Sequence, residues 1–117
     1  MFRKSNELNI LYGGRRLSTV PVDSDSPDTP TSGEPLPKNA VFTDVLVGVR
    51  EDETEEIRIH LYNEDADIWV LEVDTITIDR FGARINVETR GYDRICVQRN
   101  LEASSFEAYL CFPRLEG

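Results

Sequence analysis

His60 is the only histidine in this 117-residue chain. A general base needs a nucleophile beside it and a third group to orient it, and neither lies near His60 in the sequence. Strand alternation sets it opposite Ile59 and Leu61, so it is expected to face outward. Cys96 and Cys111 are the only cysteines. With one histidine they make three soft ligands, where a structural zinc site takes four. They are expected to be free thiols, on the strand faces turned away from the main apolar set, unless their strands prove to be neighbours.

The acidic residues offer two oxygen-rich candidates. Asp23, Asp25 and Glu34 fall at positions 1, 3 and 12 of a calcium loop. That loop needs glycine at position 6, and here the residue is Asp28, with Pro27 before it. The cluster Asn63, Glu64, Asp65 and Asp67 follows no ligand-spacing rule and reads as a solvated turn. The run Tyr12-Gly13-Gly14-Arg15-Arg16 is glycine-rich and basic but lacks the strand and helix that surround a phosphate loop. No nucleophile elbow is present. An enzyme would need Asp44, Arg58, Asp74 and Asp79 to converge through the fold. The expectation is therefore a non-enzymatic protein with no catalytic residues, metal or cofactor.

One stretch resembles a known module. The run from His60 to Asp67 (HLYNEDAD), with the later Ile78-Asp79-Arg80-Phe81-Gly82, is similar to part of the HugZ-type haem-degrading split-barrel proteins. On that resemblance His60 stands for the module's first histidine, and Asp79 and Gly82 for its turn. One residue is inserted between His60 and Asn63, the second histidine is absent, and ten residues separate Asp67 from Ile78 where that family has a long helix. No haem site is carried over.

The elements that must position these residues fall into three parts. Residues 1–17 form a basic anchor segment, with Arg3, Lys4, Arg15 and Arg16 against Glu7. Residues 18–40 form a Pro/Ser/Asp-rich extended linker holding five of the six prolines. Such a segment buries too little to offset the entropy of ordering it. Stretched as polyproline it spans on the order of 70 Å. Residues 41–117 form a β-rich body.

In that body, period-2 spacing marks strands at Val45, Val47 and Val49, then at Ile57, Ile59 and Leu61. Trp69, Leu71 and Val73 share one parity and Ile76 and Ile78 the other, so a bulge is expected near Asp74. Phe81, Ala83, Ile85 and Val87 follow, then Ile95 and Val97, then Phe106, Ala108, Leu110 and Phe112. Trp69, Phe81, Phe106 and Phe112 are expected in the core, and Tyr92 and Tyr109 partly exposed. Residues 50–56 are too charged to be core. Hairpin turns are expected at 63–65, 79–82 and 90–93, with one helical turn possible in 100–105. The fold class is all-β: a small antiparallel barrel or sandwich of six to seven strands, with an extended N-terminal arm.

The net charge is −9, and it is acidic everywhere except in the basic head. An acidic body suits neither nucleic acid nor an anionic membrane. No leader-like run opens the chain and no stretch reaches membrane-spanning length, so synthesis in the cytoplasm is expected, with later release inside an extracellular particle still open. A body of about 75 residues is marginal alone and gains from partner subunits. The expected role is a structural or assembly subunit of a larger particle, such as a virion-type decoration, connector or tail-associated protein. Its partners would be proteins, chiefly copies of itself. Leu8, Ile10, Leu11 and Tyr12 would anchor the arm on a neighbour, with Arg15 and Arg16 facing acidic loops. The alternative is a soluble β-barrel module that binds a small ligand or a peptide.

Overall fold

The computed structural model describes residues 15–16, 19–21, 30, 32–38 and 40–111. Phe112 and the anchor residues Leu8, Ile10, Leu11 and Tyr12 lie outside them, as do Asp23 and Asp25. Six longer strands build the body: β4 (Phe42–Gly48), β5 (Glu55–Asn63), β6 (Ile68–Ile78), β7 (Ala83–Glu88), β8 (Arg94–Arg99) and β9 (Glu107–Cys111). Three two-residue strands precede them: β1 (Arg15–Arg16), β2 (Val20–Pro21) and β3 (Glu34–Pro35). No described residue is helical. Residues 100–105 are loop, and Leu101 there takes a φ of 63°.

The strands form two sheets. One has the order β1-β9-β4-β7, the other β2-β8-β5-β6, with β3 also paired to β8. The longer strands pair antiparallel throughout, and only β2 runs parallel to its neighbour. The sheets do not close into a barrel. They pack face to face as a sandwich, because alternation gives each strand one apolar side and the two apolar sides meet. Val45, Val47, Ile57, Ile59, Leu61, Ile78, Val87, Ile95, Val97, Phe106, Ala108 and Leu110 form that core.

The expected hairpins are mostly something else. Only residues 63–68 join neighbours in one sheet, β5 and β6. There the Asn63 side chain accepts from the Ala66 N–H, and Asp67 takes a φ of 53°. The tight turn at 79–82 is real, with the Gly82 N–H donating to the Asp79 carbonyl at 2.9 Å and a φ of 69°. It carries the chain from one sheet to the other, and so does the turn at Gly91. Turn chemistry fixes a reversal of direction, not the sheet that the next strand joins.

The bulge near Asp74 is present. Ile57 faces Ile76 and Ile59 faces Val73, so three steps on β6 match two on β5. A second irregularity follows, since His60 faces Leu71. These slips put Val73 and Ile76 against the core and turn Leu71 to solvent, whereas simple parity grouped Leu71 with Val73. Trp69 sits opposite Tyr62 with ring centroids 4.8 Å apart and is half-buried, not core. Phe81 is 70% exposed at the turn, and Tyr109 is buried, both against expectation.

The described parts of the N-terminal third lie on the body. β1 pairs β9, while β2 and β3 pair β8. Leu36 packs against the core, and its N–H donates to the Asp93 carbonyl at 2.9 Å. Arg94 Nη1 donates to the Gly33 carbonyl at 3.0 Å. Main-chain bonds to an open sheet edge hold these pieces where composition alone offered little to bury.

Candidate functional site

Two loops at one end of the sandwich, residues 49–54 and 100–106, are tied together by a charged pair. Glu55 opens β5 with its side chain turned inward, and it is fully buried. Arg99 closes β8 and donates to Glu55 Oε1 from Nε at 2.9 Å and Nη2 at 2.7 Å. The N–H groups of Glu102 and Ala103 donate to the same oxygen at 3.1 and 3.3 Å. Arg99 also donates to the Ala103 carbonyl, and its guanidinium lies 4.6 Å from the centre of the Phe106 ring. Bonds from several sides satisfy this buried carboxylate and hold the loop. This arrangement corrects the reading of 50–56 as too charged to be core, since Glu55 is fully buried. A glutamate inside an acidic run gives no local sign of burial, and its partner stands 44 residues away.

Outside this pair, Glu53 accepts from the Ser104 N–H at 2.8 Å, from Ser104 Oγ at 3.1 Å and from the Ser105 hydroxyl. The Ser105 and Ser104 bonds hold the Glu53 carboxyl below its ordinary pKa. Ser105 Oγ in turn accepts from the Arg50 N–H at 2.9 Å. Beside these loops lies an open cleft of about 370 Å³, whose lining includes Arg16, Arg50, Ser105, Phe106 and Glu107. Of the expected anchor residues, Arg16 reaches this cleft, and Arg15 is described only as a strand residue opposite Leu110.

His60 lies on the outer face of its sheet, as alternation implies, yet it is 1% exposed. Its Nε2 is 2.6 Å from Gln98 Oε1, on the neighbouring β8, and Gln98 is equally buried. Cys96 and Cys111 are both free and buried. They lie on strands of different sheets, each on the outward side, so they cannot pair. Burial pushes the Cys96 thiol up to about 12 and raises that of Cys111, with the Asp44 charge adding to the latter.

Of the four charged residues that could converge in the fold, the structure brings together Arg58 and Asp74 and leaves Asp44 and Asp79 apart. Arg58 meets Asp74 at 3.5 Å on one sheet. Bonds from the Thr75 N–H and hydroxyl, more than Arg58, lower the Asp74 pKa. Asp44 is buried on the other sheet, where Arg84 Nη2 lies 2.9 Å away and Asn86 Nδ2 donates at 2.8 Å. Asp79 receives the Phe81 N–H within its turn. Glu34 sits in β3, and Asp65 and Asp67 in the β5–β6 turn, where Asp67 accepts from the Tyr62 hydroxyl at 2.6 Å. Among the described residues no three histidine, cysteine or acidic side chains are grouped to hold a metal ion.

Fold and site together define an all-β protein of two packed sheets with strand-forming segments at its N-terminal side. No protein-family model, curated protein or solved structure matches the chain.

Proposed function

We propose that this chain is a non-enzymatic assembly subunit of a larger particle, and that its N-terminal segment acts as a strand donor to neighbouring copies. One observation carries the reading: β1, β2 and β3 add to the open edges of β9 and β8 through main-chain pairing. Each is two residues long, and strand addition of this kind depends on backbone groups more than on matched side chains. A second copy presents the same two edges, so the segment can pair in exchange between subunits as well as within one. Leu8, Ile10, Leu11 and Tyr12 would supply apolar burial at the contact, and Arg15 and Arg16 would face acidic loops such as 51–56. Exposed ion pairs contribute only about 0–1 kcal/mol each, so apolar burial dominates.

The test is the solution mass of the full chain by light scattering. Replacing Ile10, Leu11 and Tyr12 with Ser is expected to shift assemblies toward the monomer mass, more strongly than replacing Arg15 and Arg16 with Ser. An unchanged assembly in the triple variant, or the opposite ranking, refutes assembly through an apolar anchor in this segment.

The cleft beside Arg50 and Phe106 favours a second reading, a binding module for a small ligand or peptide. Concave surfaces with a few convergent polar groups are where such ligands bind. A ligand-induced rise in Tm that Arg50→Ala abolishes would select this reading.

A further inference from the structure

β7 ends its sheet, and among the described residues nothing pairs with its outer edge. Its bonding pattern is fixed by a neighbour. Beyond the strand end, in the same register, the Thr89 N–H donates to the Val41 carbonyl at 2.8 Å. Antiparallel bonds alternate along a strand. The odd-numbered residues of β7 therefore turn their N–H and C=O groups toward β4. Arg84, Asn86 and Glu88 turn theirs toward the outer edge, which no described strand pairs.

We propose that this edge pairs antiparallel with β7 of a second copy about a two-fold axis at Asn86. In that register Asn86 faces Asn86 of the second copy, and Arg84 faces its Glu88. All three outward-turned residues then find hydrogen-bonded partners, and the axis doubles each contact. The charges match as well. Arg84 lies against Asp44, yet its side chain remains 64% exposed. Glu88 is exposed and makes no ion pair among the described residues. Opposite charges directly across an antiparallel pair attract. On the inward side Ile85, which is half-buried, falls opposite Val87. Sliding two residues one way sets Arg84 opposite Asn86 and strands Glu88. Sliding the other way sets Arg84 against Arg90.

The other free edge, β6, does not fit this role. It carries two register irregularities, with the exposed Glu72 and Asp74 beside them. Bulges and charges of that kind protect an edge from pairing. β7 has a regular register over six residues. This interface uses a different surface from the strand-donor segment and does not depend on it.

The test uses the full chain. Mass by light scattering, from micromolar to millimolar protein, is expected to show a dimer step. Glu88→Arg places like charges across the pair and is expected to weaken that step roughly tenfold. In the same concentration series, hydrogen exchange at the amides of residues 84, 86 and 88 is expected to slow as the dimer forms, with those of 85, 87 and 89 unchanged. Asn86→Cys is expected to cross-link under mild oxidation, because facing Cα atoms about 5.5 Å apart suit a disulfide. Glu88→Cys is not, because its two copies lie about 13 Å apart. The native thiols are buried and give little background. A chain that stays monomeric, in which Arg84 and Glu88 merely guard the edge, overturns the proposal, as does equal cross-linking by the two cysteine variants. An assembly that survives Glu88→Arg but dissolves in the triple serine variant overturns it while sparing the strand-donor reading.

Discussion

At the scale of single residues, the Glu55–Arg99 pair concentrates more of the fold's polar energy than any surface ion pair described. Removing one partner of a buried pair leaves the other charged and unsolvated, which costs about 3–5 kcal/mol. Glu55→Ala should lower the unfolding free energy from urea denaturation by about 3–5 kcal/mol, and Glu107→Ala, on the exposed side of β9, by less than about 0.5 kcal/mol. Equal effects would mean that the pair is not anchored as described. The thiols provide a second check. The unfolded Cys96 thiol ionises near 9.0 and the folded one near 12. Below that window both states are protonated and the contribution is constant. As pH rises through it, the unfolded state loses its proton first, so stability falls. Cys96→Ala should flatten that alkaline decline. Both thiols should react with a disulfide reagent only at the rate of unfolding. These residues also mark the limit of the sequence. Alternation places His60 and Cys96 on the outer face correctly, but period two reports direction, not cover, so their burial is invisible in it. The Tyr62–Trp69 contact hides for a related reason, because alternation does not say which residues of two neighbouring strands stand opposite one another.

At the scale of elements, β3 depends on a glycine. A Cβ at Gly33 would lie 2.8 Å from the Ile95 carbonyl oxygen and 2.9 Å from Trp69 Cη2. The carbonyl is already held in the β3–β8 ladder and cannot retreat without loosening it. Gly33→Ala should therefore cost about 1–3 kcal/mol and shift the emission of Trp69, the only tryptophan, toward that of a more solvated ring. A variant with unchanged emission and an unchanged denaturation midpoint would show that β3 does not rest there. Nothing in the composition of residues 18–40 announces this contact. Five prolines and few apolar side chains read as an arm with nowhere to pack. What the segment uses is the free backbone of β8, and a sequence does not say which strands end a sheet. By contrast, the strands of the body, their approximate ends and the bulge near Asp74 were legible, because half-burial writes itself directly into alternation.

At the scale of the whole molecule, the sandwich has two unlike flanks. One is trimmed by β1, β2 and β3, and the other ends in β6 and β7 with nothing added among the described residues. Sequence reasoning found the class of fold but left barrel and sandwich open, since both satisfy the same alternation and differ only in which edges meet. The order of the chain through the sheets has a further consequence. Of the five connections between longer strands, only that from β5 to β6 stays within a sheet. β4 lies between β7 and β9, so its second neighbour is the last described strand to leave the ribosome. A nascent chain can close one local loop early, but β4 stays unpaired until β7 is made and half-matched until β9 follows. Such long-range closure slows the search for the native state and keeps sticky strands in view of one another, which exposes growing chains on one messenger to association with their neighbours.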